Sequence, residues 1–193
     1  MLRYLKGTII HGISLTPFVN PHLSGYSDAD WGTDPDNRHS TSAHLIFFRN
    51  CPISWSTRKQ HSVARSSTEV EYRALASATS ELIWIRTLLH ELGIKMSKRP
   101  SIYCDNIGAT QLSQNPVMHS RMKHIAIDLH FVRDLVKKGV LDVFHVNKHD
   151  QLADFLTKPL SRTKFQTMVN KIGLIISPPI LRERVKDYLQ HKR

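Results

Sequence analysis

The chain has 193 residues, 40% of them hydrophobic and 22% charged, with 27 Lys and Arg against 16 Asp and Glu, for a formal net charge of +11. That composition is enough to build the core of one main globular domain, and the positive excess suits a polyanionic partner through phosphate neutralisation. Cys51 and Cys104 stand far apart, which excludes a disulfide framework or a zinc ribbon, and no apolar run approaches the roughly 18 residues of a membrane span.

The opening "MLRYLKGTIIHGISLTP" is helix-like at first, too interrupted for a secretory leader, and too poor in apolar surface to fold alone. Alternation over "HLSGYSDAD" from His22 to Asp30 predicts a first strand. Two β-rich runs between Thr41 and Trp55 flank a turn at Asn50, Cys51 and Pro52, completing a three-strand meander. A long helix spans Ser66 to Gly93, and the short strand "SIYC" runs into Asp105 and Asn106. A brief helix then reaches about Ser113, and another covers Ser120 to Lys138, with Met122, Ile125, Leu129, Val132 and Val136 as its core stripe. "VLDVFHV" alternates as a fifth strand, Asp150 is expected to cap a short helix before Pro159, and a last amphipathic helix runs from Arg162 to about Ile172.

This order predicts an α/β fold: a mixed five-stranded sheet, with three antiparallel strands and two further parallel strands reached by right-handed crossovers, flanked by helices. In such sheets ligands gather at the carboxyl ends of the parallel strands. The expected division is residues 1–20 as an extension, 21–160 as the main domain and 161–193 as a C-terminal helix with a basic tail. An intracellular monomer is expected.

The stretch "SSTEVEY" at residues 66 to 72 places two acids two positions apart, pointing to nearly opposite sides of a helix. Glu71, Leu75, Ala78, Leu82, Ile85, Leu89 and Leu92 form one continuous stripe, so Glu71 begins the buried seam. Ser66 and Glu69 fit a capping box, which gives Glu69 a structural task and turns it away from Glu71. A carboxylate facing a core needs a partner. Arg65 or Arg73 in an ion pair is one answer, and a metal ion is the other.

Asp28 late in the first strand, Asp105 at the end of the fourth and Asp154 after the fifth converge on the same end of the sheet. Taken singly, Asp28 or Asp30 reads as a turn former, Asp105 or Asn106 as a helix cap, and Asp154 as a solvated helix residue. Taken together, four acids at one place call for cations, and oxygen-only ligands suit Mg²⁺ or Mn²⁺, with room for two ions. Twelve histidines raise the question of zinc, yet no thiol pair completes a site and His145 is separated from His149.

The runs "GYSDADW", "SSTEVEYRAL", "YCDN", "KHIAIDLHFVRD" and "QLADFLTKPL" resemble the RNase H domain of copia-type LTR retrotransposon Pol polyproteins, over about Leu23 to Gly173. The resemblance implies an RNase H-like fold and divalent-metal hydrolysis of the RNA strand of an RNA–DNA hybrid. It implies Asp28, Glu71, Asp105 and Asp154 as the catalytic and metal-binding acids, and probing of the hybrid by polar and basic residues around them. Those candidates are Arg38, Ser40, Thr41, Lys59, Gln60, Ser66, Ser67, Asn106, Lys123 and His124.

His149, five residues before Asp154, is an auxiliary candidate for the mobile histidine of cellular relatives, and Ala43 stands where family members commonly carry glycine. "LRYLKGT" resembles the last helix of the family's reverse transcriptase region, so residues 1–20 read as its remnant, with reverse transcriptase and integrase regions as implied partners. A cytoplasmic, virus-like-particle or nuclear location follows from that context. A catalytically idle nucleic-acid-binding fragment is the alternative function, and a DNA-cutting metal nuclease a third.

Overall fold

The computed structural model describes residues 6, 8–15, 20–32, 34, 36–115 and 125–176. The elements run β1 (His11–Ile13), β2 (Leu23–Asp30), β3 (Thr41–Phe48), β4 (Cys51–Lys59), α1 (Ser67–Glu91), β5 (Ser101–Cys104), α2 (Ile107–Gln114), α3 (Ala126–Lys137), β6 (Asp142–His145), α4 (Asp154–Thr157), α5 (Arg162–Ile172) and β7 (Leu174–Ile176). The main sheet has the order β4-β3-β2-β5-β6. β2, β3 and β4 pair antiparallel, while β5 and β6 run parallel to β2. This is the mixed five-stranded sheet that the element order predicts.

Alternation along the strands divides the apolar side chains between two layers. Leu23, Ile46, Ile102 and Val143 face α1, α2 and α3, joining Tyr72, Leu75, Leu82, Leu129 and Val132 in the larger core. Leu45 and Phe47 face the other way, onto Leu152, Met168 and Ile172. The long helix can lie close against the sheet because β2 carries Gly25, where a Cβ would stand 3.3 Å from Leu82 Cδ1. Ala43 sits opposite Asp28 in an unbroken β2–β3 register.

Several boundaries differ from expectation. The β3–β4 turn lies at Arg49 and Asn50, with Arg49 at φ 56°, and Cys51 and Pro52 already belong to β4. β4 is the edge strand, where a proline costs no ladder bond to a further neighbour. Asp150 caps no helix; it pairs with Lys171 at 2.6 Å, and α4 begins after Ala153 without a side-chain cap. α3 begins at Ala126, and the expected first turns of that helix, together with Met122, lie outside the described residues. The α1 stripe ends earlier than its spacing suggests, because Leu92 is the C-cap and is 66% exposed. Unforeseen was a second, two-stranded ribbon in which β1 pairs antiparallel with β7, His11 opposite Ile176 and Ile13 opposite Leu174.

The two ends of the stripe should respond differently to truncation. Leu82→Ala, which empties a fully buried site under Gly25, should lower unfolding free energy by about 2–5 kcal/mol, whereas Leu92→Ala should stay within about 0.5 kcal/mol, both measured by urea denaturation.

Candidate functional site

The β2–β5 register sets the site. Ser27 lies beside Cys104, so the next residues, Asp28 and Asp105, reach the carboxyl ends of two parallel neighbours together. Glu71, in the second turn of α1, comes down onto the same end and accepts a hydrogen bond from the Ala29 backbone N–H. One donor atom each from Glu71, Cys104 and Asp105 lie within 4.8 Å of one another. The Cys104 Sγ stands 3.9 Å from Glu71 Oε2.

Asp154 arrives from the other side, through the segment after β6. Gln151, fully buried, fastens that segment to β2: its amide donates to the Ser27 carbonyl at 2.9 Å and its side-chain oxygen accepts from the Ala153 N–H at 3.2 Å. The Thr157 hydroxyl donates to Asp28 Oδ2, and the Thr57 hydroxyl donates to the Leu156 carbonyl at 3.2 Å, tying α4 to β2 and β4. Lys158, the next residue, sets its ammonium 2.6 Å from Asp154 Oδ1 and 3.7 Å from Asp28 Oδ2.

The electrostatics follow from crowding acids where water is scarce. Asp28 is 1% exposed and Glu71 7%. Burial first, and then the charges of Asp28 and Asp105, push the Glu71 carboxyl up to about 9. Burial also raises Asp28, with Asp105 and Asp154 adding to it; the Thr157 hydrogen bond and the Lys158 ammonium oppose the rise without cancelling it. Burial pulls Lys158 downward, but its hydrogen bond to Asp154 and the charges of Asp28, Asp154 and Asp105 leave it raised overall. The Cys104 thiol is driven up chiefly by burial and next by Glu71, so it is a poor candidate for a thiolate ligand.

The residues fit a hard divalent cation. Asp28 Oδ1 and Asp105 Oδ1 are buried and have no hydrogen-bond partner, which leaves two desolvated oxygen acceptors, although among the described residues the group within 4.8 Å that holds Asp105 and Glu71 includes neither Asp28 nor Asp154. Such oxygens are what Mg²⁺ or Mn²⁺ would satisfy, and the donors among the acids are all oxygen.

Glu71 makes no ion pair with Arg65 or Arg73. Arg73 instead pairs with Glu69 at 2.9 Å, and Glu69 Oε2 also accepts from the Arg65 N–H at 3.0 Å. The Ser66 hydroxyl accepts from the Glu69 N–H at 3.2 Å, giving one half of the expected capping box, while the returning bond goes to Arg65 rather than to Ser66. Glu69 is itself only 2% exposed, so both acids are buried and it is their partners that distinguish them.

The other candidates divide. Ser40 is buried, its hydroxyl taken by the Gly32 N–H at 3.0 Å, which braces the β2–β3 connection, and Gln60 donates to Ser42 Oγ and the Val70 carbonyl, which ties β3 to α1. Lys59 pairs with Asp34 at 2.5 Å, and Thr41 opens β3 opposite Asp30. Arg38 takes φ 58° in that same connection. Ser66 and Asn106 are N-caps of α1 and α2, and Ser67 is exposed beside the first. Lys123 and His124 lie outside the described residues. His149 offers its carbonyl to Lys171, whereas the histidine that meets an acid of the cluster is His145, with Nε2 3.2 Å from the Asp105 carbonyl.

Sequence reasoning missed Lys158, Thr157, Gln151 and Cys104. Lys158 was findable, since Asp154 and Lys158 are four apart and helical spacing brings such a pair together. Gln151 carried no local signal; its partner is 124 residues away.

No protein-family model matches the chain. The chain is 56% identical over 179 residues to the retrovirus-related Pol polyprotein from transposon RE1 of Arabidopsis thaliana. It is 38% identical over 178 residues to that from transposon TNT 1-94 of Nicotiana tabacum. These alignments cover 93% and 90% of the chain but only 12% and 13% of those polyproteins. Among solved structures, an N-terminal RNase H domain from Mycobacterium tuberculosis superposes with TM-score 0.52 at 10% identity, covering 78% of this chain and 98% of that one. LC11-RNase H1 in complex with an RNA/DNA hybrid gives 0.51 at 14%, covering 69% and 92%. The fold is RNase H-like.

Two measurements probe this site without any substrate. Gln151→Ala leaves the Ser27 carbonyl and the Ala153 N–H unpaired and should cost about 1–3 kcal/mol in denaturant unfolding. The second concerns pH. Folded Glu71 keeps its proton to about 9, while the unfolded side chain releases it near 4.5, so between those values the native state binds more protons and stability falls as pH rises. Thermal melts in a chelator should therefore show a Tm that drops from pH 5 to pH 9, with Glu71→Gln flattening the slope; parallel slopes for both proteins would contradict the assignment.

Proposed function

We propose that this chain, an RNase H-like segment of the retrovirus-related Pol polyprotein family, is a divalent-metal-dependent endonuclease that hydrolyses the RNA strand of RNA–DNA hybrids. The observation that carries the reading is the grouping of buried Asp28 and Glu71 with half-buried Asp105 at the carboxyl ends of β2 and β5, with an unpartnered buried oxygen on each of the two aspartates and Asp154 alongside. Desolvated acids with unused oxygens are costly to keep unless a cation uses them. Asp28, Glu71, Asp105 and Asp154 would hold Mg²⁺ or Mn²⁺, which when bound supplies an activated water and neutralises charge on the phosphate undergoing in-line displacement.

The rest of the task falls to groups around the acids. α1 and α2 begin side by side: a Cβ on Gly108 would lie 3.0 Å from Thr68 Oγ1, so the two helix N-termini meet next to Glu71 and Asp105. Their free N–H groups suit the phosphates flanking the cut, with exposed Ser67 placed for a sugar hydroxyl. His145 holds the Asp105 backbone in place through the carbonyl, and Gln151 and Thr157 hold Asp154 and Asp28. The net charge of +11 favours approach of a nucleic-acid duplex. Reverse transcriptase and integrase regions, the partners that the resemblance to copia-type Pol polyproteins implies, would act on the same template.

The test is a gel assay of a hybrid labelled on each strand, incubated with Mg²⁺, Mn²⁺ or EDTA. RNA should be lost with either ion and spared in EDTA, with the DNA strand intact. Asp28→Asn, Glu71→Gln and Asp105→Asn should each reduce cleavage to background while keeping the fold. Glu69→Gln, by contrast, should lower stability by about 1–3 kcal/mol through its Arg73 and Arg65 contacts and leave turnover largely unchanged. Cleavage in EDTA, or activity retained by Asp105→Asn, would overturn the proposal.

A further inference from the structure

The four acids do not share one environment. Glu71 and Asp105 stand with the Cys104 thiol in a trio within 4.8 Å, and among the described residues neither makes an ion pair. Asp154 and Asp28 are bridged by the Lys158 ammonium, at 2.6 Å and 3.7 Å. The orphaned oxygens fall on Asp28 Oδ1 and Asp105 Oδ1, whereas Asp28 Oδ2 is the oxygen engaged by Thr157 and Lys158. One side of the cluster therefore offers unused acceptors, and the other already contains a cation.

We infer that Lys158 is a built-in counter-ion at the Asp28–Asp154 side of the cluster, which a divalent ion must displace, so that the chain takes up its two ions in a fixed order. The inference rests on the nuclease reading above. The first ion enters among Asp28, Glu71 and Asp105, where oxygens lack partners. The second meets the ammonium, and two cations cannot occupy the gap between the same two carboxylates without strong repulsion.

Lys158 is built to leave. Its side chain is 40% exposed, its stem is flexible, and it follows the last residue of a four-residue helix, immediately before Pro159. Until displaced, it keeps Asp28 and Asp154 together and so preserves the second position's shape. Asp154 makes its contact i to i+4, which lets the ammonium swing out without moving the backbone that carries the acid.

The experiment measures Mn²⁺ binding to the full chain by isothermal titration and by the electron paramagnetic resonance signal of free Mn²⁺, with no nucleic acid present. Wild type should bind one ion more tightly than a second. Lys158→Met, which keeps the stem and removes the charge, should tighten the second step by about tenfold and the first by less than about threefold, the scale of a coupled charge in a partly solvated site. Lys158→Arg should keep the wild-type gap. Lys158→Gln serves the same purpose as Lys158→Met if the latter does not fold.

If both steps in the neutral variants stay within threefold of wild type, or shift together, the counter-ion role is wrong while the nuclease reading stands. If wild type binds no Mn²⁺ at all, both fall. A wild type that binds one ion and a Lys158→Met that binds two supports the inference.

Discussion

A carboxylate removed from water has few acceptable states: it can be protonated, paired, hydrogen-bonded or bound to a metal ion. The end of the β2–β5 pair shows each of the first three at once. Glu71 is pushed toward its acid form, Asp154 and Asp28 share an ammonium, and Asp28 also takes a hydroxyl from Thr157. What remains is two oxygens with nothing to accept from, and that remainder is what the proposed divalent cation would satisfy. The helices, the crossover order and the buried glutamine all serve to keep these acids near each other against their mutual repulsion.

The scaffold meets that demand by rigid means. The parallel register puts Asp28 and Asp105 at adjacent strand ends, where no loop flexibility can separate them. α1 is clamped to β2 at Gly25, so Glu71 cannot retreat along the helix axis. The third approach, from the segment after β6, joins the packing of Leu152, Phe155 and Leu156 onto Leu45 and Phe47 with side-chain hydrogen bonds to β2. Gln151 and Thr157 supply those bonds, and it is also where the flexible lysine sits.

Much of this was legible in order and period. The alternation of "HLSGYSDAD" and the stripe from Glu71 to Leu89 located two acids on named elements, and the ββββ-free crossover pattern after the meander placed the fourth and fifth strands. The RNase H-like sheet appears as that order implied. What failed to show depended on partners distant in the chain or on a choice between equivalent groups. Nothing local says that Gln151 will meet Ser27, that Arg73 will choose Glu69 over Glu71, or that His145 rather than His149 will face Asp105. Asp150 looked like a cap because its type favours caps; Lys171, on a helix 21 residues on, claimed it instead. Ser40 and Gln60 looked available because polar residues beside a site usually are, yet Ser40 accepts from the Gly32 N–H and Gln60 donates to Ser42 and the Val70 carbonyl.

The β1–β7 ribbon has a topological meaning beyond its few hydrogen bonds. By pairing a strand that precedes the sheet with one that follows the last helix, it brings the incoming and outgoing chain to within a strand's width of each other. A unit whose two leads meet can be spliced into a longer polypeptide as a side loop, without prising its neighbours apart.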